Sequence, residues 1–328
     1  MELSIVIPVY NCADDLAANV ERIISDVAAD FEVILVDDKS TDASRQVIEI
    51  LCETHERVSA VLLDENGGAG LARVAGFAEA KGEYTLFFDA DDQIVEGSID
   101  KCLFAIRSEG ADALVASYHY GQSISEHSNG MHRRDEEIFS TVLGKAETVI
   151  AHMGRTPELA SITAYPWNKI IATQPFRDNG LFFSATPVHN DIYAHWHIMM
   201  LAKKLVVTRT PLCIHIVEQG KGNITNIADK RRLEIFTALE DVERLFEDRP
   251  WLKRRYYNEF LEFKMNLVEW AVGRVPLAHR AEFARRYAES CRRITVLDYN
   301  TLASPKFDVA GRMRRWMNDP YGLAVKDF

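Results

Sequence analysis

Asp89-Ala90-Asp91-Asp92 places three carboxylates within four positions, directly after the apolar run Tyr84-Thr85-Leu86-Phe87-Phe88. Carboxylates this close repel one another unless protons or a cation relieve them. Hard oxygen donors suit Mg²⁺ or Mn²⁺, which in turn hold phosphate oxygens. The same residues also read as a solvated turn, with Asp92 or a neighbour capping the next helix. A second acidic pair, Asp37-Asp38, ends the run Phe31–Val36 and precedes Ser40-Thr41. Here a carboxylate either caps the following helix or accepts a hydrogen bond from a base N–H or a ribose hydroxyl.

Further candidates lie outside the acidic clusters. Asn66-Gly67-Gly68-Ala69-Gly70 leads through Ala72-Arg73 into a helical pattern. It is not a G-x-G-x-x-G loop after the first strand, so a dehydrogenase reading is weak. It reads as a flexible lead into a helix whose free N–H groups suit an anion. Arg73 offers a planar donor fork to a base or phosphate. Asp191, in His189-Asn190-Asp191-Ile192-Tyr193, opens another helix. It is either a first-turn acid that favours the helix dipole or a general base beside an acceptor hydroxyl. His195 and His197 read as core or surface residues, whereas His215 sits on a strand that could border the cleft and is the better candidate metal ligand. Lys221, in the glycine-broken segment 218–223, is either solvated or part of a loop that closes over a diphosphate.

These residues depend on a regular scaffold. Apolar runs at 3–9, 31–36, 58–63, 84–88 and 113–117 read as strands. Helical spacing fills the intervals between them, with Leu16, Val20, Ile23, Ile24 and Val27 on one face of the first helix. Such alternation gives right-handed βαβ units and a mainly parallel sheet, which sets both acidic clusters at strand C-termini on one edge. Ligands bind at that edge in open α/β sheets. Residues 118–137 read as an irregular excursion. A helix is expected at about 140–153, another from Asn190-Asp191 to about Ala202, and a strand pair at 205–207 and 212–217. Beyond Thr225 the pattern is helical to about Arg274, and Pro276 starts a further helix that reaches Arg293.

Composition bounds the rest. The chain has 328 residues and a net charge of −11. Residues 1–224 carry 18 basic against 33 acidic side chains, and residues 225–328 carry 20 against 16. That split suggests two regions with different neighbours, and no concentrated basic face suggests nucleic acid as a partner. The five cysteines are scattered and form no C-x-x-C pair. They indicate neither a disulfide framework nor a zinc site, and a reducing, cytoplasmic compartment is expected. The N-terminus shows no secretory signal pattern, and no apolar run is long enough to cross a bilayer.

Several pieces then align in order: Ser4-Ile5-Val6-Ile7-Pro8-Val9-Tyr10-Asn11, Glu32–Asp42 with Asp37-Asp38, Asn66-Gly67-Gly68 with Ala72-Arg73, Asp89-Ala90-Asp91-Asp92, Trp167-Asn168-Lys169 and Asn190-Asp191. Taken together they resemble a family 2 glycosyltransferase of the GT-A fold, over roughly residues 3–225. The resemblance implies an α/β, Rossmann-like domain over 1–225, with a nucleotide-binding half to about 118 and an acceptor half over 119–225. A helical C-terminal region over 226–328 completes the chain. It further implies inverting transfer of a sugar from a nucleotide diphosphate, usually UDP, to an acceptor hydroxyl. By position, Pro8 and Tyr10 would line the base pocket and Asp38, with Asp37 beside it, would bind the base. Arg73 would lie near the nucleotide, and Asp89 would approach the ribose. Asp91 would ligate Mg²⁺ or Mn²⁺ with Asp92 in support, His215 being the further candidate ligand. Asp191 would be the base. The resemblance places such an enzyme in bacterial surface-polysaccharide assembly, with a carbohydrate or lipid-linked acceptor.

The sequence departs from the family pattern in three places. Asn190 stands where the pair before the base helix is usually Glu-Asp, and Val74 stands where Ala-Arg-Asn is usual. The Gln-x-x-Arg-Trp signature of processive synthases is absent, Arg312-Met313-Arg314-Arg315-Trp316 being a near miss far into the tail, so a non-processive enzyme is expected. Trp251, Tyr256, Tyr257, Phe260, Phe263 and Trp270, set among basic residues, either pack the C-terminal helices onto the catalytic domain or a second subunit, or contact a membrane surface at the cytoplasmic face. Two rival classes are a sugar nucleotidyltransferase and a silent binding scaffold on the same fold. The first lacks its Gly-rich, Lys-containing loop after strand one. The second has only Asn190 in its favour.

Overall fold

The computed structural model describes residues 1–121, 127–128, 130–216, 228–295, 298 and 309–325. Lys221 lies outside them. The chain divides into two compact units: Met1–Ala185 with Asn190–Lys221, and Thr186–His189 with Gly222–Phe328. The division thus falls four residues before the expected boundary near Thr225, and the short segment ahead of Asp191 belongs to the second unit.

The first unit begins as the alternation predicts: β1 (Leu3–Val9), α1 (Ala13–Asp26), β2 (Phe31–Asp37), α2 (Ser44–Thr54), β3 (Val58–Leu62), α3 (Gly68–Glu79) and β4 (Tyr84–Phe87). Strands β3, β2, β1 and β4 lie side by side, all parallel. Every residue of β2 is buried, and β1 is buried except for the half-buried Pro8. Helices cover both faces, which explains why these strands read as continuous apolar runs. Close packing of α3 depends on Gly76, where a Cβ would stand 2.4 Å from Val6 Cγ1 and 2.8 Å from Val36 Cγ2.

After β4 the pattern departs from a parallel series. The next elements are β5 (Gln93–Ile94), α4 (Ser98–Glu109), β6 (Ala113–Gly121), β7 (His127–Ser128), α5 (Arg133–Leu143), β8 (Thr148–Ala151), β9 (Lys169–Ala172), α6 (Thr173–Asp178), α7 (Ile192–Leu201) and β10 (Leu205–Ile216). Strand β9 inserts antiparallel between β4 and β6, and β10 runs parallel to β6. The sheet is therefore mixed, in the order β3-β2-β1-β4-β9-β6-β10-β5.

Three sequence expectations need correction here. The helix expected at 140–153 is α5, which starts at Arg133 and stops at Leu143. Gly144 follows it with φ +56°, and Thr148-Val149-Ile150 pair with β10 as an antiparallel strand. The β-branched residues favour the pleated sheet over another helical turn. The strand pair at 205–217 is one strand with register shifts on either side of Pro211. Proline lacks the N–H that a regular ladder needs, so the strand bulges there without turning back. Within 118–137, expected to be irregular, β6 continues to Gly121 and α5 begins at Arg133.

The second unit is helical: α8 (Ile235–Asp248), α9 (Pro250–Val272), α10 (Leu277–Arg292), α11 (Val309–Asn318) and α12 (Pro320–Val325). Its core holds the aromatics Phe236, Phe246, Tyr256, Phe260, Phe263, Phe283, Tyr287 and Trp316. The Arg-Trp near miss is structural. Trp316 packs edge-on against Tyr287 with ring centroids 5.1 Å apart, and Arg312 pairs with Glu269 at 2.5 Å. Trp251 and Trp270 remain 48% and 38% exposed, so they are not core residues of this unit. Among the described residues no helix is long and apolar enough to cross a membrane.

Candidate active site

The site forms along the C-terminal edge of β1, β2 and β4. Tyr10, just past β1, is exposed, and Asn11 adopts φ +51°. The Asn11 side-chain oxygen accepts the Thr41 N–H at 2.8 Å, which ties the turn after β1 to the turn after β2. Asp37 is fully buried. It accepts the Ser40 N–H at 3.1 Å and pairs with Arg45 at 3.1 Å, so its carboxylate is committed to the protein.

Asp38 does different work. Its two oxygens accept the N–H groups of Gly67 and Gly68, both at 2.7 Å. Asn66 donates its side-chain amide to the Asp38 carbonyl at 2.9 Å. The Asn66-Gly67-Gly68 loop, read from the sequence as flexible with free N–H groups for an anion, is instead pinned through those groups. Burial raises the Asp38 pKa, the two glycine N–H bonds work against that shift, and Asp37 adds to it. Gly68 has φ +83°, a conformation that favours glycine.

The guanidinium of Arg73 is likewise committed. It donates to Asp89 Oδ1 at 2.5 Å and to Asn190 Oδ1 at 2.8 Å, and its side chain is only 5% exposed. The donor fork expected to reach a base or phosphate is turned inward. It joins the acid cluster after β4 to the residue preceding Asp191.

Asp91 and Asp92 differ in exposure. Asp92 has no exposed surface; it accepts His215 Nδ1–H at 2.8 and 3.0 Å and the Ile216 N–H at 3.2 Å. Burial raises its pKa, and the histidine beside it opposes that shift. Burial alone would lower the His215 pKa, but the charge and hydrogen bond of Asp92, with the charges of Asp89 and Asp91, together outweigh it and the net shift is upward. With Nδ1 held by Asp92, the remaining nitrogen of His215 is Nε2, which is buried and has no hydrogen-bond partner among the described residues. Aromatic rings surround the imidazole, with centroids of Tyr165 and Trp167 at 5.0 and 5.1 Å. Asp91 is the exposed member of the cluster. Its pKa is pushed up to about 7, first by desolvation and then by the charges of Asp92 and Asp89. Since Asp91 keeps an open side, its desolvation is partial, and carboxylate repulsion is the part a cation would relieve.

Among the described residues no three His, Cys, Asp or Glu side chains form a ready-made metal cage. The donors present nonetheless suit a hard divalent ion. One repelled carboxylate and one unpartnered imidazole nitrogen are on offer, and the imidazole is oriented by a carboxylate, as ligating histidines commonly are. Mg²⁺ and Mn²⁺ sites often take one or two carboxylates and complete the shell with substrate phosphates and water. In this arrangement Asp92 orients His215 and is not itself free.

Asp191 sits half-buried at the N-terminus of α7. Desolvation raises its pKa to about 6; Arg73 and Lys169 pull it down, and Asp89 pushes it up. Lys169 belongs to the Trp167-Asn168-Lys169 segment, whose residue types alone assign it no role. It is 2% exposed and donates to the Tyr165 carbonyl at 2.5 Å and to Asn168 Oδ1 at 2.7 Å, both neutral acceptors. Burial lowers its pKa to about 7. The available signal was a lysine opening an apolar strand, Lys169-Ile170-Ile171. His195 and His197 are buried in α7, with Nε2 2.9 Å from the Ala160 carbonyl and 3.1 Å from the Asn179 carbonyl, so packing accounts for them.

Residues 4–164 match the glycosyl transferase family 2 sequence model. The chain carries a family 2 glycosyltransferase domain. The glycosyltransferase GlyG of Streptococcus pneumoniae is 27% identical over 218 residues, covering 66% of this chain and 71% of that protein. The domain also resembles a solved structure of S. aureus TarS 1-349 in complex with UDP-GlcNAc: TM-score 0.58, 18% identity, covering 97% of this chain and 91% of that one. The mannosyltransferase PcManGT from Pyrobaculum calidifontis, in complex with GDP-Man and Mn²⁺, gives a TM-score of 0.57 at 16% identity, covering 99% of this chain and 86% of the other. At these identities the two structures establish a GT-A-like fold for the glycosyltransferase domain, with a helical C-terminal region after it.

Proposed function

We propose that the chain is an inverting, metal-dependent, non-processive glycosyltransferase that moves a sugar from UDP to the hydroxyl of a carbohydrate or lipid-linked acceptor. The observation that carries this reading is the link between two kinds of carboxylate at one sheet edge. A crowded acid cluster follows β4, and through Arg73 it is joined to the residue before the separate, desolvated Asp191.

The donor lies along the edge formed by β1, β2 and β4. Pro8 and Tyr10 border the base, and Asp38, whose oxygens each keep a second lone pair beyond the glycine bonds, accepts the base N–H. Asp89 faces the ribose. Asp91 and His215 Nε2 would hold Mg²⁺ or Mn²⁺, with Asp92 fixing the imidazole. When bound, the cation offsets negative charge that develops on the departing diphosphate.

Asp191 accepts the proton of the acceptor hydroxyl as its oxygen attacks the anomeric carbon. The new C–O bond forms as the bond to the diphosphate oxygen breaks, and that electron pair leaves with UDP. Attack from the face opposite the leaving group inverts the carbon. A base with a pKa near 6 suits this task, because it is ionised at neutral pH and still basic enough to take the proton.

The test is calorimetric titration with UDP, with and without Mn²⁺, on the wild type and on Asp91→Ala. Tight binding that needs the metal and fails in the variant is expected. Binding that ignores the metal, or no binding at all, would overturn the donor assignment.

A further inference from the structure

We propose that Arg73 is a positioning residue that locks the donor-side acid Asp89 to the start of the base helix, and that Asn190 is the neutral anchor through which it does so. The inference deepens the reading of Asp191 as the base and rests on it for its catalytic meaning.

The geometry is specific. Asp89 follows β4, Arg73 lies on α3, and Asn190 immediately precedes Asp191. One planar guanidinium spans the two outer residues, at 2.5 Å to Asp89 and 2.8 Å to Asn190. Its carbon sits 5.3 Å from the centroid of the Phe183 ring, which supports the plane from one face. Asn190 is itself fixed through its backbone, whose carbonyl accepts the Ser184 N–H at 2.9 Å. Gly70, one turn before Arg73, permits this approach: a Cβ there would stand 2.4 Å from the Ser184 carbonyl oxygen and 2.9 Å from Asn190 Cβ. A lysine could not replace the fork, because its single ammonium group is not a rigid plane with two divergent donors.

Charge gives the arrangement its consequence. The charged and titratable groups acting on Asp191 are Arg73 from α3, Asp89 after β4, Lys169 from β9 and the phenol of Tyr165. With a carboxamide at position 190, Arg73 is balanced by one carboxylate only, and part of its field is left to favour ionised Asp191. A carboxylate at 190 would cancel that field and place a like charge beside the base.

The deciding measurement is the titration midpoint of Asp191, read by NMR on protein carrying ¹³C at the aspartate carboxyl carbons. The Asp191 signal is assigned by its loss in Asp191→Asn. Arg73→Gln removes the charge, and Asn190→Ala cuts the anchor without changing any charge. Each is expected to raise the midpoint, Arg73→Gln by about one pH unit, the lower end of the range for loss of a nearby opposite charge. A midpoint that stays in place in both variants, with thermal unfolding showing both to be folded, would overturn the proposal. Should Arg73→Gln not fold, Asn190→Ala decides alone, because a merely structural amide would lower the melting temperature and leave the midpoint unmoved. The titration needs no substrate. A failure of sugar transfer would count against the proposed function, and an unmoved midpoint against the role of Arg73.

Discussion

Asp92 and His215 are 123 positions apart in the chain, yet the aspartate oxygen and the imidazole Nδ1 lie 2.8 Å apart. This contact joins the turn after β4 to the far end of β10 and decides which imidazole nitrogen is presented. It also commits the Asp92 carboxylate to the imidazole and the Ile216 N–H.

Asp92→Asn should therefore weaken Mn²⁺ binding without removing a ligand. Loss of such an orienting partner typically costs about 10–100-fold in metal affinity. Calorimetry of Mn²⁺ in the presence of UDP reads the effect, and His215→Ala should weaken binding at least as much. An Asp92→Asn affinity within twofold of wild type would show that the aspartate does not orient the ligand.

Metal affinity should rise with pH. Desolvation and the neighbouring carboxylates push the Asp91 pKa up and the His215 pKa is raised, so both hold protons on the acid side that a cation must displace. Below those pKa values each displaced proton changes the affinity by about tenfold per pH unit. Mn²⁺ titrations at pH 6 and pH 8, in buffers of different ionisation enthalpy, should show tighter binding at pH 8 and proton release that is larger at pH 6.

Asp191→Asn should remove the base and leave the donor site intact. Turnover is expected to fall by about 10²–10⁴-fold with UDP affinity unchanged. In the wild type the rate should decline on the acid side with a midpoint near 6, because only the ionised carboxylate takes a proton. Initial rates of UDP release across pH 5–8 test both statements.

Lys169 carries a linkage prediction of its own. Its folded pKa of about 7 lies below the unfolded value of 10.5. Between those values the unfolded chain binds more protons, so this residue makes the fold more stable as pH rises from 7 towards 10.5; below 7 its full penalty is present. Lys169→Met removes a buried ammonium that has no carboxylate partner among the described residues, at the cost of two hydrogen bonds to neutral acceptors. We expect a net gain of roughly 1–3 kcal/mol at pH 7 that shrinks by pH 10. Urea unfolding at the two pH values measures it, and an equal effect at both would exclude the titration as its source.

Much of the first half of the fold is legible in the sequence. Strands β1, β2 and β4 are almost wholly buried and read as unbroken apolar runs, β3 at the sheet edge is short and largely exposed, and the helices between them keep one apolar stripe. The later elements are harder to see. Strand β9 is only Lys169–Ala172 and gains its identity from the neighbours it pairs with on both sides. The bulged β10 looks like two strands because Pro211 interrupts the pattern. The end of α5 depends on one left-handed glycine, Gly144.

The chain by itself determined the strand–helix alternation and, through the fixed hand of βαβ crossovers, that Asp37-Asp38 and Asp89–Asp92 share one edge. Only the tertiary structure decided which of those acids are free. Asp37 goes to Arg45, Asp38 to two glycine N–H groups, Asp89 to Arg73 and Asp92 to His215, which leaves Asp91 open to solvent and Asp191 on the opposite side of the Arg73 bridge. Periodicity reports which way a side chain faces along its own element. The partner that claims a carboxylate can lie more than a hundred residues away, and only packing brings it within hydrogen-bonding reach.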